Sequence, residues 1–197
     1  MQEERRLNPA VARRFRSGRP ALDFVHTGGV GAWTAAELVH DGPTLARWLA
    51  HLVHLPESDI RTYDVDVPAA RELREAIWQL AQACIAERDF GPEYVATVNR
   101  FAAAADPVPL LYPNGTSMLR ALDAPAALSI LARDAIDLFG GPLARRVRVC
   151  AAEDCGLLFV DASRPGTRRW CSMQRCGNLA KVRKHRSATG AAQTAGG

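Results

Sequence analysis

The chain has 197 residues and a mass of 21.4 kDa, with 48% hydrophobic and 23% charged residues. These fractions are typical of soluble globular proteins. No apolar run reaches the roughly 18 residues that a membrane-spanning helix needs, which excludes an integral membrane protein. The first residues also lack the apolar core of a secretory signal. We therefore expect a folded, cytoplasmic protein with no membrane association.

Charge is distributed unevenly along the chain, whose formal net charge is +4. Residues 141–197 contain nine Arg and two Lys against three acidic residues, whereas acidic residues predominate in residues 1–140. A basic segment joined to an acidic one is typical of proteins that bind a polyanion. The alternatives are a solvated Arg-rich tail and a general preference for Arg over Lys.

The first 140 residues are predicted to be mainly helical. Residues 1–18 are charged without periodicity, which indicates a flexible arm. Residues 20–27 form a short apolar stretch that fits either a strand or a helical turn. Apolar residues then recur at helical spacing in three longer segments, residues 44–55, 68–88 and 91–105.

A small β-hairpin is predicted where this helical period is lost. Residues 110–112 and 116–122 flank an Asn114-Gly115 pair, which favours a tight hairpin turn. Prolines on both sides of the first strand confine it to a sheet edge. A further helix is predicted from Asp123 to Gly140, and Gly140-Gly141-Pro142 is the expected domain boundary.

Four of the five cysteines fall close together near the C-terminus. Cys150, Cys155, Cys171 and Cys176 form two C-x4-C pairs separated by fifteen residues. In a cytoplasmic chain such pairs are more often metal ligands than disulfides or redox centres. Four thiolates suit one tetrahedral Zn²⁺ ion and leave no open coordination position, which predicts a structural site. Cys84 stands alone in an apolar helical stretch and is predicted to be a core residue.

The residues around the cysteines predict a treble-clef-like module. Alternating residues 146–150 and apolar residues 156–160 read as two short strands, with the first cysteine pair in the turn between them. Turn-forming residues follow at 161–167. Residues 173–184 read as a helix whose start carries Cys171 or Cys176.

This segment resembles the CGNR-type zinc finger over about residues 147–186. The resemblance is carried by the residues Cys150, Cys155, 159–161 (Phe-Val-Asp), 168–173 (Arg-Arg-Trp-Cys-Ser-Met) and 176–178 (Cys-Gly-Asn). Leu179 stands where the family has the Arg of its name, so the role of that Arg does not transfer to this chain.

The N-terminal part of the chain resembles the ABATE domain, which is described as a stress-induced transcription regulator. The matching residues are 22–25 (Leu-Asp-Phe-Val), Thr27, Asp41, Leu45, Trp48, Leu49 and 73–74 (Leu-Arg). Where relatives often have Asn, this chain has His26. The two resemblances together imply a zinc-containing regulator.

A set of basic residues flanks the cysteines, and Arg and Lys bind phosphate through charge-assisted hydrogen bonds and counterion release. The candidate nucleic-acid-binding residues are Arg164, Arg168, Arg169, Arg175, Lys181, Arg183, Lys184 and Arg186. The competing interpretation is that some of them, such as Arg168 and Arg169, dock on the acidic body of the protein.

Two polar residues in the apolar stretch before the first glycines could contact a ligand. Asp23 and Thr27 lie four residues apart, and the alternative for both is capping or core hydrogen bonding. Neither a Ser-His-Asp arrangement nor an H-E-x-x-H motif is present, so we expect no enzymatic activity.

The sequence therefore predicts a mainly α protein. Its predicted parts are a flexible arm (1–18), a helical ABATE-like domain with a small β-hairpin (19–140), a CGNR-type zinc finger with four cysteine ligands (141–187) and a flexible tail (188–197). The predicted function is DNA-binding transcription regulation, with a helical domain that senses a small-molecule effector or mediates assembly into a homodimer. The alternative is an interaction or small-molecule-binding protein in which the zinc module is purely structural.

Overall fold

The computed structural model describes residues 11, 14–31, 34–104, 109–119 and 121–183. Within them the chain is mostly helical, as the sequence predicts. The helices are α1 (Pro20–Val25), α2 (Gly42–Val53), α3 (Val67–Ile85), α4 (Pro92–Ala102) and α5 (Ala124–Gly140). The short apolar stretch that fitted a strand or a helical turn is thus the helix α1.

The beginnings of the helices follow from local sequence. Each has a proline in its first turn, where the missing N–H costs no intrahelical hydrogen bond. Asp41 caps α2 by accepting the Thr44 N–H at 2.8 Å, while the Thr44 hydroxyl accepts the Asp41 N–H at 3.1 Å. Asp123 caps α5 by accepting the Ala126 N–H at 3.0 Å.

The described residues also form three small strand pairs. The predicted hairpin is confirmed as the antiparallel pair β2 (Pro109–Leu111) and β3 (Ser117–Leu119). The strands β5 (Val147–Val149) and β6 (Leu158–Val160) are also antiparallel, as predicted. A parallel pair of β1 (Ile60–Arg61) and β4 (Leu122–Asp123) was not predicted, because two-residue strands carry no readable period.

One apolar core extends from the helices into the hairpin β5–β6. Val147, Leu158 and Val160 are buried together with the helical core residues, whereas Phe159 belongs to a second, smaller cluster around the cysteines. This division follows from the alternation of side chains along a strand. The hairpin therefore lies between the helices α1–α5, which we call the helical body, and the cysteine cluster, and it contacts both.

Part of the segment predicted to be a flexible arm packs on the helical body. Arg14 is buried, and the ring of Phe15 lies 4.6 Å from that of Trp48 in α2. Residues 1–10, 12 and 13 of the predicted arm and the predicted tail at 188–197 lie outside the described residues. Among the residues that are described, no helix combines the length and hydropathy that crossing a bilayer requires.

Candidate metal centre

The first cysteine pair is held by the connection between β5 and β6. Cys150 directly follows β5, and its N–H donates to the carbonyl oxygen of Leu157 at 2.8 Å. The Cys155 N–H donates to the carbonyl oxygen of Ala152 at 3.0 Å. Gly156 then has a φ of 64°, a left-handed conformation that glycine adopts without steric cost. This tight turn directs both thiols to the same side of the hairpin.

The second pair is brought to this turn by the loop after β6. The Ala151 N–H donates to the carbonyl oxygen of Arg169 at 2.8 Å, and the Cys171 N–H donates to the Cys150 sulfur at 3.4 Å. Cys176 lies in a π-helical turn, Met173–Gly177, which continues into an α-helical segment at residues 178–183. We call residues 173–183 the finger helix.

The four sulfur atoms meet with the spacing of a tetrahedral metal site. All lie within 4.8 Å of one another, with 3.6 Å between Cys155 and Cys171 and 3.7 Å between Cys171 and Cys176. A tetrahedral ion with Zn–S bonds of about 2.3 Å separates its sulfur ligands by about 3.8 Å. A disulfide would require about 2.05 Å. The cluster therefore fits one structural Zn²⁺ ion and not a pair of disulfides.

The electrostatics of the cluster also favour a cation at its centre. The hydrogen bond from Cys171, together with those from the other two thiols, lowers the pKa of Cys155 to about 5. The same hydrogen bond raises the pKa of Cys171, and burial raises the pKa of Cys176 to about 11. One thiolate is thus stabilised at the expense of its neighbours, so four thiolates can coexist here only around a positive ion.

Arg168 braces the loop that carries Cys171. Its Nε donates to the carbonyl oxygen of Trp170 at 2.8 Å, its Nη2 donates to that of Cys171, and its guanidinium lies 4.8 Å from the centre of the Phe159 ring. The backbone N–H of Arg168 donates to the buried carboxylate of Asp161 at 2.9 Å. The Ser163 hydroxyl, also bonded to this carboxylate, lowers the pKa of Asp161. The structural role of Arg168 was not apparent from its charge.

Arg183 connects the finger helix to the first cysteine turn. Its guanidinium forms an ion pair with Asp154 and lies 3.6 Å from the Glu153 carboxylate. These two acids lie between Cys150 and Cys155 in the sequence. Arg183 therefore links the two halves of residues 147–183, which we call the cysteine module, through exposed ion pairs.

The other candidate basic residues project from the module. Arg164, Arg169, Arg175 and Lys181 are exposed, and Arg169 lies over the Trp170 ring with 5.3 Å to its centre. Over the part of the chain that the structure describes, these four residues form no ion pair with an acidic side chain. Lys184 and Arg186 lie outside the described residues.

Asp23 and Thr27 make hydrogen bonds within the helical body. Asp23 accepts the Ser17 N–H at 2.9 Å. The fully buried Thr27 hydroxyl donates to the carbonyl oxygen of Phe24 at 2.7 Å and accepts from Arg74 at 2.9 Å. These contacts correspond to the capping and core-bonding alternative, and the ligand-contact hypothesis stays a prediction.

His26 is a linking residue that the sequence analysis did not identify. It is 1% exposed, and its two ring nitrogens bond to Arg14 and Leu158, which lie in different parts of the chain. The sequence did contain one signal for this role, a histidine within a largely apolar stretch. A buried imidazole needs hydrogen-bond partners, so such a residue is expected to link neighbouring segments.

A helical body sharing its core with a four-cysteine module defines a zinc-finger protein with an attached helical domain. The chain belongs to the ABATE family, whose model matches residues 18–142 and is described as "Putative stress-induced transcription regulator". The CGNR zinc finger model matches residues 146–188. Both families and their order agree with the sequence prediction, and neither description names an enzyme. No curated protein matches the chain.

Proposed function

We propose that the protein is a cytoplasmic, non-enzymatic, DNA-binding transcription regulator whose cysteine module contacts the phosphate backbone. The observation that carries this proposal is the division of the basic residues. Arg168 and Arg183 form contacts within the module, whereas Arg164, Arg169, Arg175 and Lys181 project from it. Exposed guanidinium and ammonium groups on a rigid support are suited to bind a polyanion.

The docking of the module on the helical body is compatible with DNA binding. The contact uses the apolar side chains of β5 and β6 and the ring of His26. The exposed residues Arg164, Arg169, Arg175 and Lys181 are not among these contact residues, so their side chains stay available for DNA. Because His26 directly follows α1 and accepts the Leu158 N–H, an effector that shifts the end of α1 would also move β6. This link supports a regulatory role for the helical body.

Salt-dependent DNA binding tests the proposal. Fluorescence anisotropy with a random-sequence duplex, between about 50 and 200 mM salt, gives the slope of log affinity against log salt. The double variant Arg164→Ala/Lys181→Ala removes two phosphate contacts and is expected to reduce the steepness of this slope by about 1.8.

The matched control is Arg61→Ala/Arg88→Ala, which removes the same charge from exposed positions on the helical body. We expect its slope to equal that of the parent protein. Absence of duplex binding by the parent protein at low salt, or equal slopes for the two double variants, contradicts the proposal. The alternative function, an interaction protein with a purely structural zinc module, predicts either of those results.

A further inference from the structure

The exposed face of the finger helix carries a set of side chains that the phosphate contacts do not explain. Gln174, Asn178 and Val182 follow one another at intervals of four, and Arg175 and Leu179 form an adjacent row. The Asn178 side chain donates to the carbonyl oxygen of Gln174 at 3.2 Å, which places these two residues side by side. We call these five residues the readout stripe.

The readout stripe is open to solvent although two of its members are large apolar residues. Leu179 is 50% exposed and Val182 is 47% exposed. All five residues line a single cleft of about 570 Å³, and Cys171 and Ser172 form part of its wall. The cleft therefore lies directly beside the cysteine cluster, which holds the start of the finger helix in place.

The composition of the readout stripe matches the chemistry of base edges in the major groove. Side-chain amides pair with the N6 and N7 atoms of adenine, guanidinium groups with O6 and N7 of guanine, and apolar groups with the thymine methyl. The stripe contains two amides, one guanidinium and two aliphatic side chains. The major groove is about 12 Å wide and admits one α-helix.

One basic residue of the segment before α1 lies in the same cleft. Arg16 is exposed and lines the cleft together with residues of the finger helix. The next residue, Ser17, accepts the N–H of Val160 in β6 at 2.9 Å, and the preceding Phe15 packs on Trp48. Arg16 is thus held at a fixed position relative to the cysteine module.

We propose that the readout stripe reads base edges in the major groove of duplex DNA, while Arg16 contacts the phosphate backbone beside it. This inference rests on the proposed function and adds that sequence preference and non-specific affinity come from different residues. Sequence preference comes from Gln174, Arg175 and Asn178 with the methyl groups of Leu179 and Val182. Affinity without sequence preference comes from the other basic residues, and the segment before α1 contributes directly to binding through Arg16.

The test uses the full-length zinc-bound protein and a duplex selected from a random-sequence pool. Anisotropy gives the ratio of affinities for the selected duplex and a scrambled duplex. We expect Gln174→Ala/Asn178→Ala to reduce this ratio at least about 10-fold, because a bidentate base contact contributes about 1–3 kcal/mol to discrimination. Affinity for the scrambled duplex and its salt slope should not change.

A second variant separates the two roles. We expect Arg16→Ala to weaken binding to both duplexes by the same factor and to reduce the steepness of the salt slope by about 0.9, because it removes one phosphate contact. Asn99→Ala, at an exposed position in α4, is the control and should alter neither the ratio of affinities nor the salt slope. Zinc content and thermal unfolding are measured for each variant, so that a folding defect is not mistaken for a lost contact.

Three outcomes overturn the inference. If selection yields no preferred sequence while the random duplex binds, the stripe does not read bases, although the proposed function stands. If Gln174→Ala/Asn178→Ala keeps the full affinity ratio, discrimination resides elsewhere. If the parent protein binds no duplex and instead associates through the exposed Leu179 and Val182, both the inference and the proposed function fail.

Discussion

The backbone N–H of Leu158 in β6 donates at 3.0 Å to Nε2 of His26, the residue that directly follows α1. The other ring nitrogen, Nδ1, donates to the carbonyl oxygen of Arg14 at 2.8 Å. A carbonyl can only accept and an N–H can only donate, so the two partners assign the neutral Nδ1–H tautomer. One buried ring thus joins the segment before α1, the end of α1 and the cysteine module.

Replacing His26 with Ala is expected to weaken the docking of the module on the helical body. The variant leaves the Leu158 N–H and the Arg14 carbonyl without their partners, and one buried unsatisfied group costs about 1–3 kcal/mol. We expect a loss of about 2–4 kcal/mol in the free energy of unfolding by urea and faster hydrogen exchange at the Leu158 amide.

The control for this variant is His40→Ala, since the His40 side chain is exposed. It should change stability by less than about 0.5 kcal/mol. Unchanged protection of the Leu158 amide in His26→Ala would show that the ring does not hold the hairpin.

Replacing Arg168 with Ala is expected to loosen the zinc site. Arg168 donates to the carbonyl oxygens of Trp170 and Cys171, so its loss frees the loop that supplies one ligand. Removing an outer partner of a metal ligand typically costs 10- to 100-fold in metal affinity. We expect a change of about that size, measured by competition with a chromophoric chelator.

Arg164→Ala is the matched control, because Arg164 is exposed in the same loop. We expect it to weaken DNA binding and to leave zinc affinity unchanged. Equal zinc affinities for the two variants would mean that Arg168 does not support the site.

Glu37 and Arg74 form an ion pair inside the helical body. Both Arg74 guanidinium ends donate to the Glu37 carboxylate, at 2.8 and 2.5 Å, and Arg74 is 3% exposed. Burial raises the pKa of Glu37, but the hydrogen bonds from Arg74 and the Val39 N–H outweigh this effect and lower it. Glu37→Gln leaves Arg74 without its counter-charge. We expect a loss of about 2–4 kcal/mol near neutral pH, measured by urea unfolding.

This loss should depend on pH in a defined direction. The pKa of Glu37 is lower in the folded protein than in the unfolded chain, where it is about 4.3. The charge of Glu37 therefore contributes fully to stability above the unfolded-state pKa, and this contribution is lost as the pH falls through the folded-state pKa. The stability difference between parent and Glu37→Gln should therefore narrow below about pH 4. A difference that stays constant or widens in acid would contradict this assignment. Glu72→Gln, in an exposed pair with Arg100, should cost less than about 1 kcal/mol at any pH.

The helices and the zinc ligands could be predicted because their signals are local. Asp41 and Asp123 are capping residues followed by a proline in the first turn, and apolar residues then recur at helical spacing. The cysteine spacing likewise predicted the metal cluster. In contrast, the pairing of Ile60 with Leu122 joins segments far apart in sequence and leaves no periodic signal in either.

The roles of the individual basic residues could not be predicted for a related reason. Arg168 and Arg175 carry the same charge, but one lies beside carbonyl oxygens and an aromatic ring and the other projects into the clefts beside the finger helix. Which acceptors lie within reach is a property of the fold. The burial of His26 between two parts of the chain was hidden in the same way.

X-ray absorption at the zinc edge tests the central claim, which is that one zinc ion held by four sulfur atoms organises the cysteine module. The sample is the full-length protein, purified with reductant and without added metal. We expect one zinc per chain with four sulfur ligands at about 2.3 Å. Protein without zinc, or zinc bound by fewer than four sulfur atoms, would contradict the account.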